Sequence, residues 1–367
     1  MAEQSGKLGL DMLFRQMPGL GASDLHLKAG NPPIYRIDGL LHRTKADALS
    51  AEELEALVRE LLGDERLEQL REEGSVDLGR DIEGGRVRIS IFLQKGRIGL
   101  TARLLTADIP SLEELHLPPA LARIADIRQG LVLVCGVTGC GKSTTLAALI
   151  EMISKKYRYH ILTIEDPIEY LHRDAKSIVN QREIGLDCLD WQKALRAAVR
   201  ADPDVILVGE MRDLETFQAG LRAAETGHLV FGTLHTSSVS GTFGRILDMF
   251  PADRHPLIRQ GLAANIQAVL CQMLVPSFQE DINVVPAVEL MFANAAMRQA
   301  IAEGQDGRLT DLIEVGRQEG MRTWTQSFVE LIKKGLVEKR VALAYAPNRE
   351  ALEMALRGID IAQSSIG

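Results

Sequence analysis

The sequence predicts an α/β protein in two parts: a small N-terminal α+β domain, then a parallel-sheet domain that ends in helices. Length is the first observation, because 367 residues exceed what a single hydrophobic core usually supports. The second is the alternation from Leu131 onward of short apolar runs with helical spans, the pattern of a parallel sheet covered by helices. The third is Gly136-Val-Thr-Gly-Cys-Gly-Lys-Ser143, which fills every fixed position of G-x-x-x-x-G-K-[ST] between an apolar run and a helical span.

Residues 1–108 carry the alternating runs Asp24–Leu27, Pro33–Ile37 and Arg86–Phe92, with one amphipathic helix at about 51–72, and read as the α+β domain. The prolines between Asp108 and Pro119 break the pattern, so 109–119 is expected to be a hinge or linker. In 120–275 the strands are expected at Leu131–Cys135, Ile161–Glu165, Val205–Val208 and Leu229–Leu234, with helices near 143–156, 190–201 and 213–226. Residues beyond about Arg254 read mainly as helices, with one extra strand at Pro286–Leu290, so 276–367 forms the helical end of the second domain.

A phosphate-binding loop follows from the third observation. Glycines at 136, 139 and 141 reach backbone angles closed to other residues, so successive N–H groups, including those at Thr138, Cys140 and Thr144, can face a phosphate at the positive end of the next helix. Lys142 would reach the β- and γ-phosphates and Ser143 would hold Mg²⁺, which makes ATP with Mg²⁺ the expected ligand. Acids stand at strand ends, where such a site needs them: Glu165 and Asp166 after one strand, Glu210 and Asp213 after another. Glu210 is assigned as the water-activating base, with Glu165 and Asp166 in the metal and water network. Asp166 and Asp213 can equally serve as helix N-caps. His228 and His235 bracket the strand Leu229–Leu234 and cannot share one metal. His235, at the carboxyl end, is the better candidate for sensing the γ-phosphate.

A formal charge of −8 argues against a broad nucleic-acid or anionic-membrane surface. Cys135, Cys140, Cys188 and Cys271 stand apart without a C-x-x-C pair, as expected in a reducing cytoplasm. The N-terminus lacks a signal-peptide core and no apolar run approaches the roughly 20 residues of a membrane helix, so membrane association is expected only through a partner.

The ordered motifs are similar to those of the secretion-motor ATPases, most closely the type IV pilus retraction ATPases of the PilT family. They are Ala22-Ser-Asp-Leu-His-Leu27 with Gly30–Pro33 and Arg36–Gly39, the phosphate loop, the Asp box Thr163–Tyr170, Val179–Gly185, the atypical Walker B segment Ala201–Thr216, the His box 227–236, Phe250–Asp253, Gly316–Met321 and Lys334–Leu336. This resemblance implies a PAS-like N-terminal domain, a RecA-like motor domain and a homo-hexamer that binds nucleotide between domains. It implies Lys142 and Ser143 as nucleotide and Mg²⁺ ligands, Glu165 and Glu210 as acids, His228 and His235 as the His box, and Arg88 and Arg103 as arginines reaching the phosphates. It also implies pilus retraction, a PilC-type platform partner at the inner membrane, a paralogous motor, and a cytoplasmic protein held peripherally at that membrane. The sequence departs from the family pattern at Leu93 and Lys95, where arginines are common, at Cys140 in place of serine, and at Ala296-Met-Arg298, which keeps part of an Ala-Ile-Arg signature. Extension or type II secretion, a nucleic-acid-translocating ring and a non-hydrolysing assembly factor are the alternatives that the residues leave open.

Overall fold

The computed structural model describes residues 9–83, 85–106 and 108–358. The chain divides into two units, one reaching Asp108 and taking in Pro167–Leu171, the other covering Ile109–Asp166 and continuing from His172. Among the described residues no helix is long and apolar enough to cross a membrane.

The first unit opens with α1 (Leu10–Leu20), whose Leu10, Leu13, Phe14 and Met17 form one buried stripe at helical spacing. It stops at Gly21, in the left-handed conformation that commonly ends a helix. Strands β1 (Ala22–Lys28), β2 (Ile34–Ile37) and β3 (Leu40–Arg43) follow. Asp38 and Gly39 both take positive φ, as a two-residue hairpin joining β2 to β3 requires. α2 (Ala51–Glu73) starts at a capping box between Ser50 and Glu53 and is interrupted at Gly63, whose φ is 72°. Strands β4 (Ser75–Ile82), β5 (Gly85–Gln94) and β6 (Arg97–Thr106) complete an antiparallel sheet of order β3-β2-β1-β6-β5-β4. Lys95, one of the departures from the family pattern, sits with Gly96 in the β5–β6 turn, both at positive φ. α1, β3, β4 and β6 go beyond the elements that periodicity revealed.

In the second unit, β7 (Gly130–Cys135) runs into the phosphate loop and α3 (Lys142–Lys156). β8 (His160–Glu165), β9 (Ile178–Glu183), α4 (Trp191–Ala198), β10 (Val205–Val208), α5 (Leu214–Glu225), β11 (Leu229–Leu234), α6 (Val239–Leu247) and α7 (His255–Asn265) come next. After them lie β12 (Ile266–Pro276), β13 (Val284–Phe292), α8 (Ala295–Ala302), α9 (Leu309–Val315), α10 (Trp324–Lys333), α11 (Lys339–Tyr345) and α12 (Arg349–Leu356). The sheet order is β13-β12-β7-β11-β10-β8-β9, parallel except where β13 runs against β12. β7, β10 and β11 are buried along their whole length, which explains their continuous apolar sequences.

Two expectations change. The eleven-residue strand β12 lies where helices were read. Its Ala, Leu, Met and Gln residues are good helix formers, it follows α7 without a Gly or Pro break, and a strand buried on both faces shows no alternation. Pairing with β7 on one side and β13 on the other decides the conformation. In the expected hinge, Leu112 and Leu117 are buried in the second unit's core, so this part of 109–119 packs as part of that unit.

Candidate active site

Most functional groups of the second unit sit where a parallel strand ends: the phosphate loop after β7, Glu165 and Asp166 at the end of β8, Glu210 after β10 and His235 after β11. β7 ends at Cys135, and Gly136, Gly139 and Gly141 then take φ of 150°, 78° and 87°. At Gly136 a Cβ would stand 2.5 Å from the Gln272 carbonyl oxygen on neighbouring β12, so only glycine lets the loop leave the sheet there. Lys142 folds over this loop, its Nζ donating to the carbonyl oxygens of Gly136 at 2.8 Å and Val137 at 3.1 Å. Ser143 is exposed in the first turn of α3, where backbone N–H groups have no partner within the helix. Beside the loop lies a cavity of about 320 Å³ whose walls include Val137, Met273, Leu274, Trp324 and Tyr345.

Glu210 follows β10 by two residues. The turn carrying it is pinned to β11, since the Thr233 hydroxyl donates to the Gly209 carbonyl at 2.5 Å and the Met211 N–H to the Thr233 carbonyl at 3.1 Å. Glu210 Oε1 lies 2.5 Å from Arg212 Nε and 3.0 Å from His235 Nε2, at the end of β11. Burial pushes the Glu210 carboxyl up, but the Arg212 hydrogen bond and the charges of Arg212, His235 and Lys142 outweigh it and hold the group below the usual carboxylate range. The loop lysine therefore acts electrostatically on Glu210, which places base candidate and phosphate loop in one field.

Glu165 ends β8 and accepts from the Thr163 hydroxyl at 2.6 Å and from Gln181 Nε2 on β9 at 3.1 Å. Asp166 is exposed, and its charge helps raise the pKa of Arg212. Asp213 is the N-cap of α5, accepting from the Thr216 N–H at 2.8 Å. Among the described residues no three His, Cys, Asp or Glu side chains could jointly hold a metal. Ser143 and Asp166 each carry the oxygen donor that a hard cation such as Mg²⁺ prefers, an ion that takes one or two protein ligands and completes its shell with phosphate and water.

His228 stands apart. It precedes β11, seven residues before His235, a separation of about 20 Å along extended chain. Its Nδ1 lies 2.9 Å from the Ala223 carbonyl and 3.2 Å from the Thr226 hydroxyl, so it closes the end of α5 and is not brought to the loop. In the first unit, Arg88 and Arg103 are direct cross-strand partners on β5 and β6, both exposed. Arg103 Nε donates at 2.8 Å to Asp24, whose carboxylate is 5% exposed. Burial raises the Asp24 pKa, while the hydrogen bonds from Arg103 and Ser23 and the charges of Arg103 and His26 bring it below the ordinary value.

Sequence reasoning missed Arg212 and Gln272. Arg212 was legible only as part of a motif. Gln272 is the single strongly polar residue in Ala268–Val275, a lone amide inside an apolar run, and that was its signal.

Over residues 20–333 the chain matches the family described as type II/IV secretion system protein. It is 41% identical over 323 residues to the type IV pilus retractation ATPase PilT of Pseudomonas aeruginosa, which covers 88% of this chain and 93% of that one. It is 39% identical over 321 residues to a twitching motility protein of Neisseria gonorrhoeae, covering 87% and 86% respectively. The crystal structure of the pilus retraction motor PilT with bound ADP is similar at a TM-score of 0.87 and 41% identity, over 94% of this chain and 99% of that one.

Proposed function

This chain belongs to the type II/IV secretion system protein family, within its PilT-type ATPases, and we propose that it is an ATP-hydrolysing hexameric motor that powers type IV pilus retraction. The observation that carries the chemistry is the pairing of a phosphate loop closed over by Lys142 with Glu210, held ionised by Arg212 and His235 at the end of a parallel strand of the same sheet. A phosphate loop with its lysine and an ionised carboxylate at the end of a nearby parallel strand are the two parts that P-loop hydrolysis requires.

In this reading the loop N–H groups and Lys142 bind the β- and γ-phosphates of ATP, and the nucleoside lies in the apolar cavity beside them. Ser143 and Asp166 hold Mg²⁺, which when bound neutralises phosphate charge. Glu210 orients the attacking water and accepts its proton, while His235 and Arg212 fix the carboxylate. Glu165 is tied to Thr163 and Gln181, and so supports the water network. Arg88 and Arg103 supply cationic charge to the transition state, a role that rests on the family resemblance. A PilC-type platform protein is the proposed partner, through which the motor meets the inner membrane.

The test is ATP turnover by the purified protein, together with deletion of the gene and a count of surface pili. Turnover with hyperpiliated, non-twitching cells supports the reading. Absence of turnover under conditions where ATP binds, or bald cells, overturns it.

A further inference from the structure

Gln272 touches the phosphate loop from below at two places. Its side chain, 4% exposed on β12, donates from Nε2 to the Cys140 carbonyl at 2.7 Å, and its Oε1 accepts from the Thr145 hydroxyl at 2.8 Å. The carbonyl at one end and the hydroxyl at the other allow one orientation of the amide, because a carbonyl oxygen needs a donor. Its backbone carbonyl lies against Gly136, where the loop begins.

From this geometry we propose that Gln272 is the positioning residue that shapes the phosphate loop for its ligand. The peptide between Cys140 and Gly141 is planar and trans, so its C=O and N–H point in opposite directions. Holding the Cys140 carbonyl down onto Gln272 therefore turns the Gly141 N–H away from β12, toward the concave side of the loop. Thr145 belongs to the first turns of α3, and its hydroxyl ties the same amide to the helix whose N-terminus completes the cradle. Gln272 leaves no room for a side chain at Gly141: a Cβ at 141 would stand 2.8 Å from Gln272 Nε2, and its φ of 87° already favours glycine. Cys140 enters this contact through its backbone carbonyl, while its own side chain is buried against Gly136.

The inference rests on the loop being the phosphate site, and the experiment separates the two. Binding of ATP and of inorganic tripolyphosphate, which lacks base and ribose, is measured by titration calorimetry on the full chain. Gln272→Glu keeps the shape and the acceptor for Thr145 but sets a carboxylate against the Cys140 carbonyl. It should weaken both ligands at least about tenfold, through the buried carbonyl left without a donor. In turnover the KM for ATP should rise while kcat stays within about threefold, since the loop holds ground and transition states alike. Thr145→Val removes the hydroxyl at nearly constant volume and should weaken both ligands in the same direction by a smaller factor, which keeps the test available if Gln272→Glu does not fold. Unchanged affinities in the folded variants overturn the proposal, as does loss of ATP affinity with tripolyphosphate binding intact. If Lys142→Ala binds tripolyphosphate as tightly as the native chain, the underlying phosphate-loop reading fails instead.

Discussion

Glu210 and His235 meet at 3.0 Å across the carboxyl ends of β10 and β11, two strands separated in sequence by the whole of α5. Parallel pairing sets Val208 opposite Gly232, so both chains leave the sheet on the same side and their first polar residues converge. Arg212 reaches the same carboxylate oxygen, which gives Glu210 two cationic or hydrogen-bonding neighbours and keeps it ionised.

Lys142 is the cation of the loop, and its Nζ now rests on two loop carbonyls that a phosphate would replace as partner. Lys142→Ala should abolish tight ATP binding or turnover, because the charge-assisted contact is lost. Near-normal hydrolysis by this variant would remove the site assignment.

Glu210→Gln keeps the shape of the side chain and removes its basicity. A carboxylate that acts on water contributes mainly in the transition state, so kcat should fall by roughly 10²-fold or more with ATP affinity largely kept. Steady-state kinetics beside equilibrium binding decide this, and a collapse in affinity with normal turnover would move Glu210 into the metal shell.

The lowered pKa of Glu210 predicts a pH dependence. A carboxyl held below its ordinary value is fully charged at neutral pH and loses that charge as pH falls through the depressed pKa. Activity that needs the ionised form should persist below the usual glutamate range of about 4.3 until folding fails. Arg212→Ala removes the strongest stabilising partner, so the acid limb of kcat/KM should move to higher pH. A limb that does not move would show that Arg212 does not govern Glu210.

Asp213 is predicted to separate structure from catalysis within the same motif. As the cap of α5 its replacement by alanine should cost about 1 kcal/mol of stability, read by denaturant unfolding, with kcat near that of the native chain. A kcat loss comparable to that of Glu210→Gln would give Asp213 a catalytic role.

Arg103→Ala and Arg88→Ala should bind ATP normally and turn it over at least about tenfold more slowly, if arginines of the first unit serve the transition state. Arg103→Ala also strips Asp24 of one hydrogen bond, at 2.8 Å, and leaves it that from Ser23. Thermal unfolding should therefore accompany kinetics, and Arg88→Ala, at an exposed position, is the cleaner variant. Unaltered turnover in both would leave them as solvated strand residues.

The phosphate loop, β7, α3, β10 and β11 were legible because each rests on local chemistry: glycines where φ is positive, apolar runs where both strand faces are covered, and polar residues where a strand stops. Asp213 was legible as a cap for the same reason, since a carboxylate three residues before a backbone N–H needs only its own turn. β12 was not legible, because its helix-forming residues become a strand only when β7 and β13 supply hydrogen bonds from far along the chain. The roles of Gln272 and Arg212, and the placing of His228 before the start of β11, remote from the loop, depend likewise on which distant groups pack around them. Local sequence alone thus determined which backbone would bend around a phosphate and which acids stand at strand ends. Only the tertiary structure decided which groups pair with Glu210 and what holds the loop in shape, because electrostatic and buried hydrogen-bond partners are set by distance in space.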